Sequence, residues 1–154
     1  MLTDTDIYVQ VISNYQNSIF LPYTLYEFES ILKAMLLAKN NTSIGETIAG
    51  VELYLVDDAE ISIANEQFMN VFGPTNILSF PGGMDLPGTL LLSIDTLHRE
   101  CLIYGQTLSA HCLHLLAHGM AHLAQLDHGE LHDALSLTCK TFAQNWLKDK
   151  NIIG

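Results

Sequence analysis

The chain has 154 residues, 49% of them apolar, which is enough to bury a conventional core and too hydrophobic for a disordered chain. Seventeen acidic residues against six Lys and Arg leave a formal net charge of −11. That balance makes a poor generic nucleic-acid binder, counts against an RNA role and gives no reason to expect a DNA partner, because attraction to phosphate supplies most non-specific affinity. Arg99 is the sole arginine, and no Lys or Arg occurs between Lys39 and Arg99. The opening "MLTDTDIYVQ" lacks the basic and apolar regions of a signal peptide, and the longest fully apolar run, "AMLLA" at 34–38, is far too short for a bilayer. A cytoplasmic protein with no membrane partner is expected. Cys101, Cys112 and Cys139 form no C-x-x-C pair and read as buried thiols.

"IYVQVIS" (7–13) is rich in β-branched residues and predicts a first strand. Between residues 24 and 39, Phe28, Ile31, Leu32, Met35 and Leu36 recur at helical spacing. A turn at "NNTSIGET" leads into a buried strand, "IAGVELYLV" (48–56). Asp57 with Glu60 is a capping-box pattern that opens a helix to about Phe72, broken by Gly73-Pro74. "TNILSFP" predicts a short strand, "GGMDLPG" a loop, and "TLLLSI" (89–94) an apolar strand that can pair with it as a hairpin. Asp95 is expected to cap a helix ending at Gly105. Thr107 or Ser109 starts the next helix, and a last one runs from about His132 to Lys148. With no repeat or linker, residues 1–154 read as one α+β domain with a small mixed sheet.

The fourth helix carries the chemistry. His111, His114, His118 and His122 step by three, four and four residues and so share one stripe. Two imidazoles four residues apart suit one ion bound at about 2.0–2.1 Å by each. That spacing alone allows His114 with His118 or His118 with His122. His128, just past the helix end, decides between them, because a reversing chain brings it back over His122. The expected ligands are therefore His118, His122 and His128, with His114 beside the cleft and His111 a further turn away. Three neutral imidazoles leave a divalent ion one open position, which suggests hydrolysis. Gly119 occupies the place where a zinc peptidase carries its glutamate, so peptide bonds are the poorer substrate. Glycine costs about 1 kcal/mol inside a helix, and its expected use is close approach of a neighbouring strand or of substrate.

These residues resemble the YbeY endoribonucleases. The family signature H-G-x-x-H-L-x-G-x-D-H is matched by His118, Gly119, His122, Leu123, Asp127 and His128, and P-T-[DN]-V-L-S-F-P by "PTNILSFP" from Pro74 to Pro81. "LSAHCLHLLAHG", "VDDAEISIANEQF" and "LPGTLLLS" resemble the flanking segments, so the likeness covers roughly residues 48 to 130. It implies a four-stranded mixed sheet packed with helices, with the zinc site at the end of a central histidine-bearing helix. It implies one Zn2+ per chain and cleavage of single-stranded RNA in late rRNA processing, including 16S 3′ end maturation and ribosome quality control. Ribosomal RNA and ribosomal subunit proteins are the implied partners. His118, His114 and Ser79 are the candidate catalytic residues. Phe80, Leu78 and Met69 are read as packing residues, and Asp127 either orients a histidine or caps the turn before His128.

The sequence also departs from the family pattern. The family's Y-R pair falls on Phe68 and Met69, so an arginine expected to handle phosphate is missing. Gln125 stands where the family has glycine between the second and third histidines, and Thr89 where an acidic residue follows the strand-leading glycine. Two alternatives therefore stand beside the nuclease: a non-cleaving metal-binding ribosome assembly factor, and a zinc hydrolase of another substrate class.

Overall fold

The computed structural model describes residues 7–83 and 85–150. Four strands, β1 (Tyr8–Ser13), β2 (Gly50–Val56), β3 (Ile77–Phe80) and β4 (Gly88–Ser93), form one sheet in the order β1-β2-β4-β3. β1, β2 and β4 are parallel, and β3 runs antiparallel to β4, with Leu78 opposite Leu91 and Ser79 opposite Leu90. The mixed four-stranded sheet and the β3–β4 hairpin are as expected. Among the described residues the sheet is joined by five α-helices: α1 (Leu25–Asn40), α2 (Asp58–Met69), α3 (Ile94–Tyr104), α4 (Leu108–Leu123) and α5 (Glu130–Asp149).

Strand alternation divides the core. Leu53, Leu55, Leu90 and Leu92 are fully buried and join residues of α1, α4 and α5 in the larger cluster. Each such burial contributes about 1.5–3 kcal/mol. Tyr54, Leu91, Leu78 and Phe80 face the other way, against Ile61 of α2. Leu78 is therefore core, as expected, whereas Phe80 is only half-buried and packs edge-on against exposed Phe68, ring centroids 5.3 Å apart. Cys101, Cys112 and Cys139 are buried free thiols. Among the described residues no helix is long and apolar enough to cross a membrane.

Helix ends follow their capping chemistry, with three shifts from expectation. Thr24 and Glu27 make a reciprocal capping box at α1, and Thr107 caps α4 through the Ala110 N–H. α2 stops at Met69, earlier than expected, because Asn70 adopts the left-handed conformation (φ 56°) that Asn tolerates. The cap of α3 is Ser93 rather than Asp95. Asp95 instead accepts the Tyr15 hydroxyl at 2.5 Å and the Asp58 N–H at 2.9 Å, tying α3 to the β1–α1 connection and to α2. α5 begins at Glu130, two residues before His132, so His132 lies in its first turn.

Candidate metal centre

α4 runs through the core with Leu113, Leu116, Ala117, Met120 and Ala121 buried, and it packs over β3. Gly119 makes this approach possible. A Cβ there would stand 2.9 Å from Ile77 Cδ1, 2.9 Å from Leu90 Cδ2 and 3.3 Å from Ser79 Oγ. The glycine thus brings β3 and β4 against the helix, and with them Ser79.

The end of α4 is built to reverse. The Gln125 N–H donates to the His122 carbonyl at 2.9 Å and the Leu126 N–H to that of Ala121 at 3.4 Å, with Gln125 left-handed at φ 62°. The Glu46 N–H donates to the Ala124 carbonyl at 2.9 Å and pins the turn from outside. Leu126 then presents its carbonyl oxygen 3.1 Å from His122 Nδ1. A carbonyl only accepts, so Nδ1 carries the proton and Nε2 holds a free lone pair.

That lone pair faces His118. The two Nε2 atoms are 3.1 Å apart, close to the separation of about 3.3 Å that two nitrogens take at about 2.0–2.1 Å around a tetrahedral ion. His128 returns over the pair, its ring centroid 5.2 Å from that of His118 and 4.8 Å from that of His122. A fourth imidazole, His132 from α5, lies closer still, at 4.5 Å and 4.4 Å. One nitrogen from each of His118, His122 and His132 lies within 4.8 Å of the others. The sequence does carry a signal for His132: it follows His128 by four residues, the spacing that ties His118 to His122. With α5 expected to begin at His132, that spacing pointed nowhere.

Burial pushes the His118 imidazole down to about 4, and the neighbouring His122, His132 and His128 add to the shift. His122 is lowered too, chiefly by burial. Both are neutral near pH 7, the form that binds a metal without first releasing a proton. A donor set of clustered neutral imidazoles fits a divalent zinc-type ion.

The histidines open on a cleft of about 680 Å³ lined also by Met69, Asn76, Ser79, Gln125 and Asp127. Ser79 lines this cleft. Met69 is 54% exposed, so it is a cleft residue and not the packing residue expected. Asp127 is exposed and takes neither expected role; the Leu126 carbonyl orients His122 instead, and Asp127 acts on it only through its charge. His114 is exposed and stacked on His111 at 6.0 Å, one turn from the cluster and outside the cleft lining. His111 is buried and bound to Glu100 at 2.9 Å. Arg99 is likewise engaged, paired at 2.9 Å with Asp58 beside a different cleft.

A cleft beside clustered imidazoles that could hold a metal ion, on an α+β scaffold, is the class of site the chain presents. The comparisons make this particular. The family model for endoribonuclease YbeY matches residues 11–142. The chain is 40% identical over 131 residues to the endoribonuclease YbeY of Nitratidesulfovibrio vulgaris, covering 71% of this chain and 78% of that protein. It is 44% identical over 111 residues to that of Lawsonia intracellularis, covering 71% and 77%. The solution structure of TM1509 from Thermotoga maritima is similar in fold, with a TM-score of 0.63 over 92% of this chain and 93% of that one, at 19% identity. The chain belongs to the endoribonuclease YbeY family.

Proposed function

We propose that this chain is a metal-dependent endoribonuclease that cleaves single-stranded RNA in late ribosomal RNA maturation, including the 16S 3′ end, in the cytoplasm. The observation that carries the reading is the 3.1 Å approach of His118 and His122 Nε2 beside Ser79, in a chain of this family. His118, His122 and His128 would hold one zinc ion. When bound, the ion supplies a Lewis acid that lowers the pKa of water and polarises a phosphoryl oxygen.

The residues of the chain do the rest. Leu126 fixes the tautomer of His122, which leaves its Nε2 lone pair facing His118, where it could serve an ion. Ser79, held against α4 by the absence of a side chain at Gly119, offers a hydroxyl that can donate to a phosphate oxygen in the cleft. His114, exposed one turn back along α4 and outside the cleft lining, would act only on RNA that extends past the cleft. Ribosomal RNA and subunit proteins are the partners that this role requires.

The test is cleavage of an unstructured RNA by zinc-loaded protein beside its His118→Ala variant. Metal-dependent cleavage that disappears with His118 supports the proposal, and equal cleavage by both proteins overturns it. One observation favours a second reading, a metal-binding assembly factor that does not cleave: among the described residues, none lining the cleft is Lys or Arg. Stoichiometric metal with no cleavage by the wild-type protein would select that reading.

A further inference from the structure

His132 lies outside both signature motifs. Its side chain is 1% exposed, yet neither ring nitrogen has a hydrogen-bond partner. The Oδ1 of Asp133 is 3.7 Å from Nδ1, beyond bonding distance. A neutral imidazole always carries one N–H and one lone pair, and stranding either in a buried place is unfavourable. Buried polar atoms of this kind call for a partner, and the imidazoles of His118 and His122 stand beside His132, one nitrogen of each within 4.8 Å of the others.

We propose that His132 is a metal ligand in this protein, the buried third beside His118 and His122, with His128 as the fourth. The inference rests on the metal-site reading above and adds to it a ligand from α5. Its support is positional. His132 lies nearer than His128 to both helix histidines, at 4.5 and 4.4 Å against 5.2 and 4.8 Å between ring centroids. The two also differ in access: His132 is sealed behind the site, and His128 is exposed at the cleft mouth. Bound to an ion through one nitrogen, His132 would have its lone pair satisfied. Its remaining N–H would need only a small movement of Asp133 to form the carboxylate–histidine pair common at metal sites. In this arrangement His118, His122 and His132 form the permanent inner grip. His128, exposed at the cleft, would be the member able to give way to substrate. The placement of α5 makes this possible: helix onset at Glu130 turns His132 inward, and α5 packs along α4.

The experiment measures metal affinity and coordination, not catalysis. Metal-free wild type, His118→Ala, His128→Ala, His132→Ala and His132→Leu are titrated with Zn2+ against a chromophoric chelator and with Co2+ by visible absorption. Zinc-edge X-ray absorption counts imidazoles in the loaded proteins. His132→Leu should lower zinc affinity by more than about a hundredfold, beyond the ten- to hundredfold that loss of a supporting group produces. It should also change the Co2+ spectrum and remove one imidazole from the count. Its metal-free melting temperature should hold or rise, because leucine leaves no stranded nitrogens. Wild-type protein should show four imidazoles. Unchanged affinity and Co2+ spectrum in His132→Leu, or three imidazoles in both wild type and variant, would overturn the proposal. If His132→Leu does not fold, the wild-type count decides alone, with four supporting the assignment and three refuting it. Failure of the underlying reading looks different: wild-type protein would take up no stoichiometric ion, or His118→Ala would bind as tightly as wild type.

Discussion

The carbonyl oxygen of Leu126 stands 3.1 Å from Nδ1 of His122, and Gln125 reaches the left-handed φ of 62° that puts it there. The family uses glycine at this position, and an L-residue pays on the order of 1 kcal/mol for the conformation. Removing the side chain relieves that strain, while glycine's extra freedom in the unfolded chain takes back about 0.4–1 kcal/mol. Gln125→Gly is therefore expected to be neutral or stabilising by up to about 1 kcal/mol, with metal content unchanged. Thermal melting and elemental analysis check both. A clear loss of stability would mean that the Gln125 side chain itself holds the turn.

Gly119 tests the peptidase alternative. A side chain here points at Ile77, Leu90 and Ser79, into the packed face between α4 and the sheet. Gly119→Glu would supply the residue a zinc peptidase carries, but would bury it among aliphatic groups. We expect a loss of about 3 kcal/mol or more, from overpacking and an unpaired buried carboxyl together, and no peptide hydrolysis. Urea denaturation and a peptide-cleavage assay are the measurements. A stable, folded Gly119→Glu protein would show that β3 can withdraw from α4.

How far the site could be read in the sequence depends on which residues carry it. His118 and His122 lie on one helix, so a spacing of four residues placed them correctly. The return of His128 over His122 followed from reading a chain reversal just past the helix end. His132 showed only as a four-residue step from His128, a step without meaning until the start of α5 is known, and Gly129 gives no side-chain cap to mark that start. The orientation of His122 was also hidden. Asp127 is the residue a pattern would choose, but a backbone carbonyl does the work, and backbone groups have no signature in sequence. Similarly, the apolar alternation of β2 and β4 revealed the sheet, whereas Ser93 displaced Asp95 as the α3 cap because Asp95 is bonded to Tyr15 and the Asp58 N–H.

Asp58 sets a pH dependence remote from the histidines. Its partial burial favours the neutral acid, but hydrogen bonds from Thr96 and Ser93, each 2.7 Å, and from Arg99 at 2.9 Å outweigh that and hold its carboxyl below the usual range. With the folded pKa depressed, the unfolded chain takes up the proton first as pH falls. The stabilisation is thus fully present above the ordinary value of 3.8 and is lost as pH drops through the folded value. Asp58→Asn should cost about 1.5–3 kcal/mol at neutral pH, and the gap from wild type should close below pH 4. Urea midpoints between pH 7 and 3, with a chelator present so that metal binding does not contribute, give the comparison. A gap that persists undiminished at the acid end would assign the loss to packing.

Met69 decides how much catalysis this cleft can support. It ends α2, is 54% exposed, and lines the same opening as His118 and Ser79. The resemblance places an arginine here, and a guanidinium holds phosphate through two parallel charge-assisted hydrogen bonds that a thioether cannot make. Arg99 cannot substitute, because Asp58 holds it beside another cleft. Lys140, half-buried on α5, acts on His114 through its charge but does not line the opening. Loss of one such transition-state contact is worth roughly 3–4 kcal/mol, a factor on the order of a hundred to a thousand in rate. The unmodified protein should therefore cleave slowly. Met69→Arg should raise its single-turnover rate on unstructured RNA by about tenfold or more, with metal content and melting temperature unchanged. The measurement belongs at one fixed low salt concentration, because added ions screen the new contact, and the gain should shrink as salt rises. Fast cleavage by the wild type with no gain from Met69→Arg would transfer the phosphate contact to Lys140, and Lys140→Ala would then abolish it. No cleavage by either protein with the metal fully bound would select the assembly-factor reading, since the one missing group would have been restored without effect.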